Sequence, residues 1–236
     1  MVPSDRFVFR VTVARSSAAA ANISRAVLST ANPILAIALS ADGDTLALHT
    51  GSELKLLDTE RGTLKTSLAD QRAVDRLELF QNGRLLAAAD ENGVIRIWNP
   101  ASGSLLKVIQ TGGAISALRF SPDGQMLASA SAQDFSVSLW NLPDGTLRQK
   151  LRSHSALVNA LAFSPDSRIL ASGGEDRTVI IWDLKSGKSQ RRLKGQDQTV
   201  TSIAFSPDGS LLASAGGNAS VMLWEVAKGT LTRVFR

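Results

Sequence analysis

The side chains that most often perform chemistry in proteins are scarce in this sequence. Of its 236 residues two are histidines, His49 and His154, and none is cysteine or tyrosine. Two isolated histidines cannot form a multi-histidine metal site, and without cysteine there is no thiolate ligand, disulfide or thiol nucleophile. The sequence also has no P-loop, no Gly-x-Gly-x-x-Gly fingerprint and no Gly-x-Ser-x-Gly elbow. We therefore predict a protein without catalytic residues, cofactor or metal ion.

Carboxylates are numerous, but the most prominent ones recur at one position of a repeating pattern, as Asp42, Asp123, Asp166 and Asp208. Each follows a serine by two residues in a turn sequence such as Ser121-Pro122-Asp123-Gly124. Proline presets φ in such a turn, and aspartate can accept a hydrogen bond from the following backbone. We interpret these aspartates as turn formers rather than as acids, bases or metal ligands.

The pattern is an internal repeat. Trp98, Trp140, Trp182 and Trp224 are each 42 residues apart, and Leu57 takes the tryptophan position in a fifth copy. A glycine follows each of these five positions by five residues: Gly62, Gly103, Gly145, Gly187 and Gly229. The repeat phase predicts that the tryptophans belong to the core, not to a platform for sugars or bases.

One repeat, residues 157–194, shows four short strand patterns separated by turns, and only the last of them is polar. Four strands in roughly 40–45 residues are typical of a β-propeller blade, whose faces are covered by neighbouring blades. On this basis we predict five units near residues 34–68, 74–110, 114–152, 157–194 and 199–236.

The residues resemble the WD-repeat family. The resemblance depends on the Ser-Pro-Asp-Gly turns, on strands such as Leu127-Ala128-Ser129, Leu170-Ala171-Ser172 and Leu212-Ala213-Ser214, and on the pair Trp182-Asp183. It implies an all-β fold, a β-propeller of four-stranded WD40-type blades. Residues 34–236 would form the propeller domain with five full repeats, and residues 1–33 an N-terminal segment that is either a partial blade or a linker.

The resemblance also implies a hydrogen-bonded set of His, Ser or Thr, Asp and Trp that braces each blade. Only one unit has all four, as His154, Ser172, Asp176 and Trp182. The other units have Thr30, Asp70, Thr111 and Gln196 at the His position, and Gly51, Asn92, Asp134 and Asn218 at the Asp position. We therefore expect the bracing to be degraded in most blades.

Five repeats are fewer than the seven blades that most family members have. The segments from Arg6 to Val13 and from Ser24 to Thr30 resemble the third and fourth strands of a further, incomplete blade. The ring could close with five or six blades, the chain could be an open arc, or it could be a piece of a longer protein. An open arc would expose an apolar blade face, which predicts self-association there.

The N-terminal residues allow two interpretations. Arg6, Arg10, Arg15 and Arg25, with many Ser and Ala, are consistent with an organelle transit peptide or with a basic strand-and-linker segment. Our expectation is a cytoplasmic protein, with organelle import as the alternative. No stretch approaches the roughly 18–20 apolar residues of a membrane helix, so we predict no membrane span.

The formal charge of +5 comes from residues 101–236, and the outermost strands there are basic. One interpretation is an anionic partner such as RNA, DNA, an acidic protein or membrane headgroups. The other is protection of exposed sheet edges against edge-to-edge pairing. We name these cations the basic belt: Arg148, Lys150, Arg152, Lys188, Arg191, Arg192, Arg233 and Arg236.

In the family, the loops that join blades share one face with the loops between second and third strands. By this analogy the candidate protein-binding face contains Asp70, Arg72, Asp90, Glu91, His154, Glu175, Arg177, Lys194 and Asp197. We predict a non-catalytic scaffold that binds other proteins and assembles or regulates a multiprotein complex. The first alternative is a ribonucleoprotein subunit that binds RNA or DNA through the basic belt. The second is an enzyme or a small-molecule-binding module that uses a central channel.

Overall fold

The computed structural model describes residues 7–10, 27–30, 33–40, 42–51, 53–68, 74–80, 83–217 and 220–235. Within these ranges every regular element is a β-strand. The strands belong to two compact units, Met1–Gln110 and Thr111–Arg236. Those ranges contain no helix that is long and apolar enough to cross a membrane. The all-β fold expected from the sequence is confirmed.

The first unit contains a two-stranded sheet and two four-stranded sheets, all antiparallel. The strands of the small sheet are β1 (Phe7–Arg10) and β2 (Val27–Thr30). The next sheet has β3 (Ala36–Leu39), β4 (Thr45–His49), β5 (Leu54–Asp58) and β6 (Leu64–Leu68), and the third has β7 (Val74–Leu79), β8 (Leu86–Asp90), β9 (Val94–Asn99) and β10 (Ser104–Gln110).

The second unit consists of three four-stranded antiparallel sheets. They are β11 (Ile115–Phe120), β12 (Met126–Ser131), β13 (Val137–Asn141) and β14 (Leu147–Leu151), then β15 (Val158–Phe163), β16 (Ile169–Gly174), β17 (Thr178–Asp183) and β18 (Lys188–Lys194), and finally β19 (Val200–Phe205), β20 (Leu211–Gly216), β21 (Val221–Glu225) and β22 (Thr230–Phe235). Each of the five repeats predicted over residues 34–236 is thus one four-stranded sheet.

The middle sheet of the second unit buries apolar side chains on both faces. One face of β15–β18 packs Leu161, Ile180 and Trp182 against the preceding sheet, and the other packs Ile181 against the following one. Strands β16 and β17 are almost wholly buried, whereas β18 buries only Leu193 among its seven residues. The β-branched residues of the inner strands suit this doubly covered position.

The recurring aspartates form turns. The Ser121 hydroxyl donates to the Asp123 carboxylate over 2.6 Å and accepts the Met126 amide over 2.9 Å. The Gly124 amide donates to the Ser121 carbonyl, with Gly124 at a φ of 70° that favours glycine. The same serine–aspartate contact recurs at Asp42, Asp166 and Asp208. In four of the five described four-stranded sheets such a turn joins the first strand to the second.

The structure describes part of the N-terminal segment for which the sequence predicts two strands. Strands β1 and β2 pair antiparallel, with Phe7 opposite Thr30 and Arg10 opposite Val27. They coincide with the two strand segments that the sequence suggests for an incomplete blade. In the predicted N-terminal segment 1–33, residues 1–6, 11–26, 31 and 32 lie outside the described residues.

Candidate functional site

The sheet β15–β18 contains a continuous hydrogen-bonded brace. The Trp182 indole donates to the Ser172 hydroxyl over 2.7 Å, and His154 Nε2 lies 2.7 Å from the same hydroxyl. His154 Nδ1 lies 2.8 Å from Asp176 Oδ2. A carboxylate only accepts hydrogen bonds, so Nδ1 carries the proton and Nε2 accepts from Ser172. The four residues thus tie the connection between sheets to β16 and β17.

The brace fixes the ionisation of its members. Burial lowers the pKa of His154 despite the opposing effect of Asp176, and the His154 side chain is only 1% exposed. For Asp176, burial opposes ionisation, but hydrogen bonds from Thr178 and His154 outweigh it and lower its pKa. The stable arrangement is therefore a neutral imidazole held by an ionised carboxylate.

Two other sheets retain part of this brace, so the predicted degradation there is incomplete. In β19–β22 the Gln196 side chain takes the histidine position, and its Nε2 donates to Ser214 Oγ over 2.8 Å. The Trp224 indole donates to the same oxygen over 2.9 Å. In β11–β14 Trp140 donates to Ser129 over 2.8 Å. A neutral amide thus replaces the imidazole without loss of the contact to serine.

The sheet β7–β10 keeps the tryptophan but lacks the serine. The Trp98 indole nitrogen is buried and has no hydrogen-bond partner among the described residues, because Ala88 stands where the three sheets of the second unit have serine. Instead, Arg96 forms a 3.0 Å ion pair with Asp90, and both side chains are only 6% exposed. Asp90 also accepts the amide of Val94. A cation inside the apolar pattern of β9 is the sequence signal that could have indicated this pair.

Some residues predicted for the protein-binding face are exposed, and others are buried. In the second unit Glu175, Arg177, Lys194 and Asp197 are exposed. They lie at one edge of β15–β18 and in the connection to β19, since Thr178 pairs with Lys194 across β17 and β18. We call these four residues the loop-side surface.

The other predicted members of that face are placed differently. Glu91 is exposed in the β8–β9 turn of the first unit. The side chains of Asp90 and His154 are buried and engaged in the ion pair and the brace. Neither side chain is therefore available to a partner. Asp70 and Arg72 lie outside the described residues.

Much of the basic belt is engaged within the protein. Lys150 and Arg152 both contact Asp134 Oδ2 at 2.9 Å. Hydrogen bonds from Ser136 hold the pKa of Asp134 well below its usual range, and Lys150 adds to this effect. Arg192 donates to the Ser153 carbonyl over 2.6 Å. These contacts reduce the positive charge that β14 and β18 offer to an anionic partner.

The remaining belt residues differ in their surroundings. Arg191 donates to the Ala227 carbonyl over 3.2 Å, and Arg233 lies over the Phe235 ring with 5.7 Å to its centroid. Lys188 and Arg148 are exposed. Arg236 lies outside the described residues. Among the described belt residues, Lys150 and Arg152 meet at Asp134, whereas the arginines of β18 and β22 have separate contacts.

The last sheet exposes side chains of the type that the preceding sheet buries. Val179 and Leu193 are 0% and 3% exposed, whereas the equivalent Val221 and Phe235 are 38% and 47% exposed. In the first unit, Leu35, Ile37 and Leu39 are also exposed. The predicted self-association through an apolar blade face would use such residues, and it stays a prediction.

No group of three or more histidine, cysteine, aspartate or glutamate side chains is arranged to hold a metal ion within the described ranges. The turn aspartates bind serine hydroxyls, Asp176 belongs to the brace, and Asp90 and Asp134 form ion pairs. The described residues form hydrogen-bonded sheets whose edges carry exposed acidic and basic side chains.

Comparison with known proteins identifies the repeat. Four segments, residues 62–99, 103–141, 145–183 and 187–225, match the family model of the WD domain, G-beta repeat. Together they cover more than half of the chain. Each segment begins just before the outermost strand of one sheet and ends with the third strand of the next. The sequence repeat is therefore offset from the sheet by one strand.

A shorter likeness links the chain to a curated protein. It is 47% identical over 55 residues to the apoptotic protease-activating factor 1 of Homo sapiens. The match covers 20% of this chain and 4% of that protein. The chain thus corresponds to a small part of that relative.

Proposed function

Because the chain belongs to the WD40 family, that of the WD domain, G-beta repeat, we propose that it is a non-catalytic scaffold for protein–protein interaction. In this role it assembles or regulates a multiprotein complex by binding partner proteins at the loop-side surface. The observation that carries the proposal is the exposure of Glu175, Arg177, Lys194 and Asp197 at one edge, directly above a buried brace.

The physical basis is the contrast between a rigid support and a polar rim. The brace holds the connection before β15 and the β16–β17 turn in fixed positions, because both ends of the His154 ring are hydrogen-bonded. A preorganised surface loses less conformational entropy on binding than a mobile one. Neighbouring side chains of opposite sign suit electrostatic complementarity with a protein partner.

The likeness to a curated protein supports the same class of function. The name apoptotic protease-activating factor describes a protein that acts on another protein, a protease. The likeness is confined to 55 residues, so it supports a module for protein interaction and not that relative's particular role.

The test is affinity capture from native extract with two charge-matched variants. The variant R177E/K194E reverses two cations of the loop-side surface, and K188E/R233E reverses two cations of the outer strands. We expect a discrete set of proteins that survives nuclease treatment and moderate salt. The first variant should lose this set, and the second should retain it.

Two outcomes would contradict the proposal. If nuclease or modest salt removes all partners, and K188E/R233E loses them too, the chain binds nucleic acid through the basic belt, since phosphate contacts are strongly salt-dependent. If both variants retain every partner, the loop-side surface is not the binding site. Purified variants should show the wild-type far-UV circular dichroism spectrum before either result is interpreted.

A further inference from the structure

A groove lies in the second unit between the sheets β11–β14 and β15–β18. Its volume is about 480 Å³, and its floor is formed by the buried side chains of Met126 and Leu184. Arg148 from β14, Arg168 from the β15–β16 turn and Lys185 from the β17–β18 turn line it. The groove is at the opposite ends of the strands from the loop-side surface.

The three cations of this groove are exposed and free to bind a ligand. None of them makes a side-chain hydrogen bond or an ion pair with any residue that the structure describes. This separates them from Lys150 and Arg152 of the basic belt, which share an ion pair with Asp134. Three cations around one recess, one of which, Arg168, also interacts electrostatically with the nearby Asp166, create a local positive potential.

The single acid that lines the groove does not cancel this charge. The Asp183 carboxylate accepts hydrogen bonds from the Ser186 amide and hydroxyl, both at 2.6 Å, and from Gln190 at 3.2 Å. Its oxygens are thus committed to the turn that follows β17. With three cations and one anion, the lining keeps an excess of positive charge.

The next pair of sheets shows that the fold does not require these cations. At the positions equivalent to Arg148, Arg168 and Lys185, one repeat later, the chain has Gln190, Ser210 and Ala227. The sheets β15–β18 and β19–β22 nevertheless pack through a continuous buried core. The three cations are therefore not needed to pack one sheet against the next. Binding of a ligand would account for their presence.

The lining specifies the chemistry of that ligand. An apolar floor gains free energy by covering apolar surface, and a cationic rim gains it from carboxylates. A bare phosphate would use only the rim. Single-stranded nucleic acid would use stacking aromatics as well as cations, and the lining contains no aromatic side chain. A volume of this size falls within the range of about 300–1,000 Å³ for ligand pockets.

We propose that this groove binds an extended acidic peptide segment of a partner protein. An apolar side chain of the segment lies on Met126 and Leu184, and flanking carboxylates contact Arg148, Arg168 and Lys185. This groove is separate from the loop-side surface. A test of peptide binding at the groove is therefore independent of a test of the function proposed above.

The experiment uses the 236-residue chain and a fluorescein-labelled peptide, Glu-Glu-Leu-Glu-Glu, measured by fluorescence anisotropy. The variant R148Q/R168S/K185A gives the groove the side chains of its neighbour. The variant R152Q/K228Q/R233Q removes the same number of positive charges elsewhere in the second unit. The groove variant should keep the wild-type melting temperature, because its three side chains make no hydrogen bond or ion pair with the described residues. The control loses exposed contacts to Asp134, Glu225 and the Phe235 ring, and its melting temperature must also be measured.

We expect saturable binding that the groove variant weakens at least about tenfold and the control variant leaves unchanged. Replacing the leucine of the peptide by alanine should also weaken binding, because the floor loses its apolar contact. Absence of binding to the wild-type chain would overturn the proposal, and so would equal loss in both variants. Inorganic phosphate or a uridine oligonucleotide could instead displace the labelled peptide as effectively as unlabelled peptide does. That result would overturn the peptide site and indicate a general anion site.

Discussion

The sheets β15–β18 and β7–β10 have the same strand order and the same tryptophan position but stabilise their interiors differently. In β15–β18 the tryptophan belongs to a neutral-imidazole brace that ends on Asp176. In β7–β10 the serine is replaced by Ala88, the Trp98 indole lacks a partner among the described residues, and a buried pair of Asp90 and Arg96 takes the polar role.

The difference shows that the repeat specifies apolar packing more strictly than polar bonding. Both tryptophans are buried, because burial of the large ring stabilises a blade whether or not its N–H is paired. The polar network varies: Ala88 leaves the Trp98 N–H without a partner among the described residues, and the Asp90–Arg96 pair supplies a different buried polar contact. The comparison can be tested by removing or exchanging these polar groups.

The largest expected effect is the loss of a core ring. Trp182→Ala should destabilise the chain by about 3–5 kcal/mol, because it removes the ring and leaves a cavity. Trp98→Ala should cost less, since its indole N–H has no bond to lose within the described residues. Urea unfolding followed by circular dichroism measures both. If Trp182→Ala keeps full stability but abolishes partner binding, the ring is a contact surface and not core.

Breaking the buried ion pair should have a cost of similar size. Arg96→Ala leaves the Asp90 carboxylate buried without its cation, which typically costs about 3–5 kcal/mol. The double variant D90N/R96I should recover most of this loss, because it removes both charges, keeps an acceptor for the turn and fills β9 with the residue type of β17. The same unfolding assay measures both, and a double variant as unstable as Arg96→Ala would contradict the interpretation.

Removing the hydroxyl at the centre of the brace should have an intermediate effect. Ser172→Ala leaves the Trp182 N–H and His154 Nε2 without partners inside the protein, for an expected cost of about 1–3 kcal/mol. Ser206→Ala, which removes a turn hydroxyl that is partly solvent-accessible, is a matched control and should cost less. Equal losses would mean that the brace contributes no more than an ordinary turn.

The brace should also make stability depend on pH. Since the folded state lowers the pKa of His154, the unfolded chain binds more protons as pH falls below about 6.5. Stability from this residue is therefore complete above pH 6.5 and is lost as pH falls through its lowered pKa. The melting temperature should decrease between pH 7.5 and 5.5, and His154→Gln, which copies Gln196, should reduce that decrease. An unchanged pH dependence in the variant would contradict this assignment.

The smallest effect should come from giving β7–β10 the missing serine. Ala88→Ser places a hydroxyl in strand β8 at the position from which Ser172 accepts the Trp182 indole. The bond to Trp98 should add about 0.5–1.5 kcal/mol. Ala89→Ser, on the next buried residue of the strand, has no such indole to pair and should destabilise. A loss in both variants would show that the Asp90–Arg96 pair has changed the space around the ring.

The sequence by itself determined the blades of this protein. Strand periodicity, Ser-Pro-Asp-Gly turns and the 42-residue tryptophan spacing depend on interactions within a few residues, and such local patterns are visible without a structure. The complete brace was also predictable, since its four residues match one family motif. The turn role of Asp123 followed from its neighbours alone.

Only the tertiary structure decided which polar residues meet. Asp90 was predicted at a surface, yet the pairing of β8 with β9 places it beside Arg96 in the interior. Gln196 reaches Ser214 from another strand connection, and Arg148, Arg168 and Lys185 come together from two sheets. The first two contacts depend on the register of neighbouring strands, and the groove depends on the packing of one sheet against the next. Residue types and spacing indicated the unusual cation in β9, but they did not give the distances or the burial of these side chains.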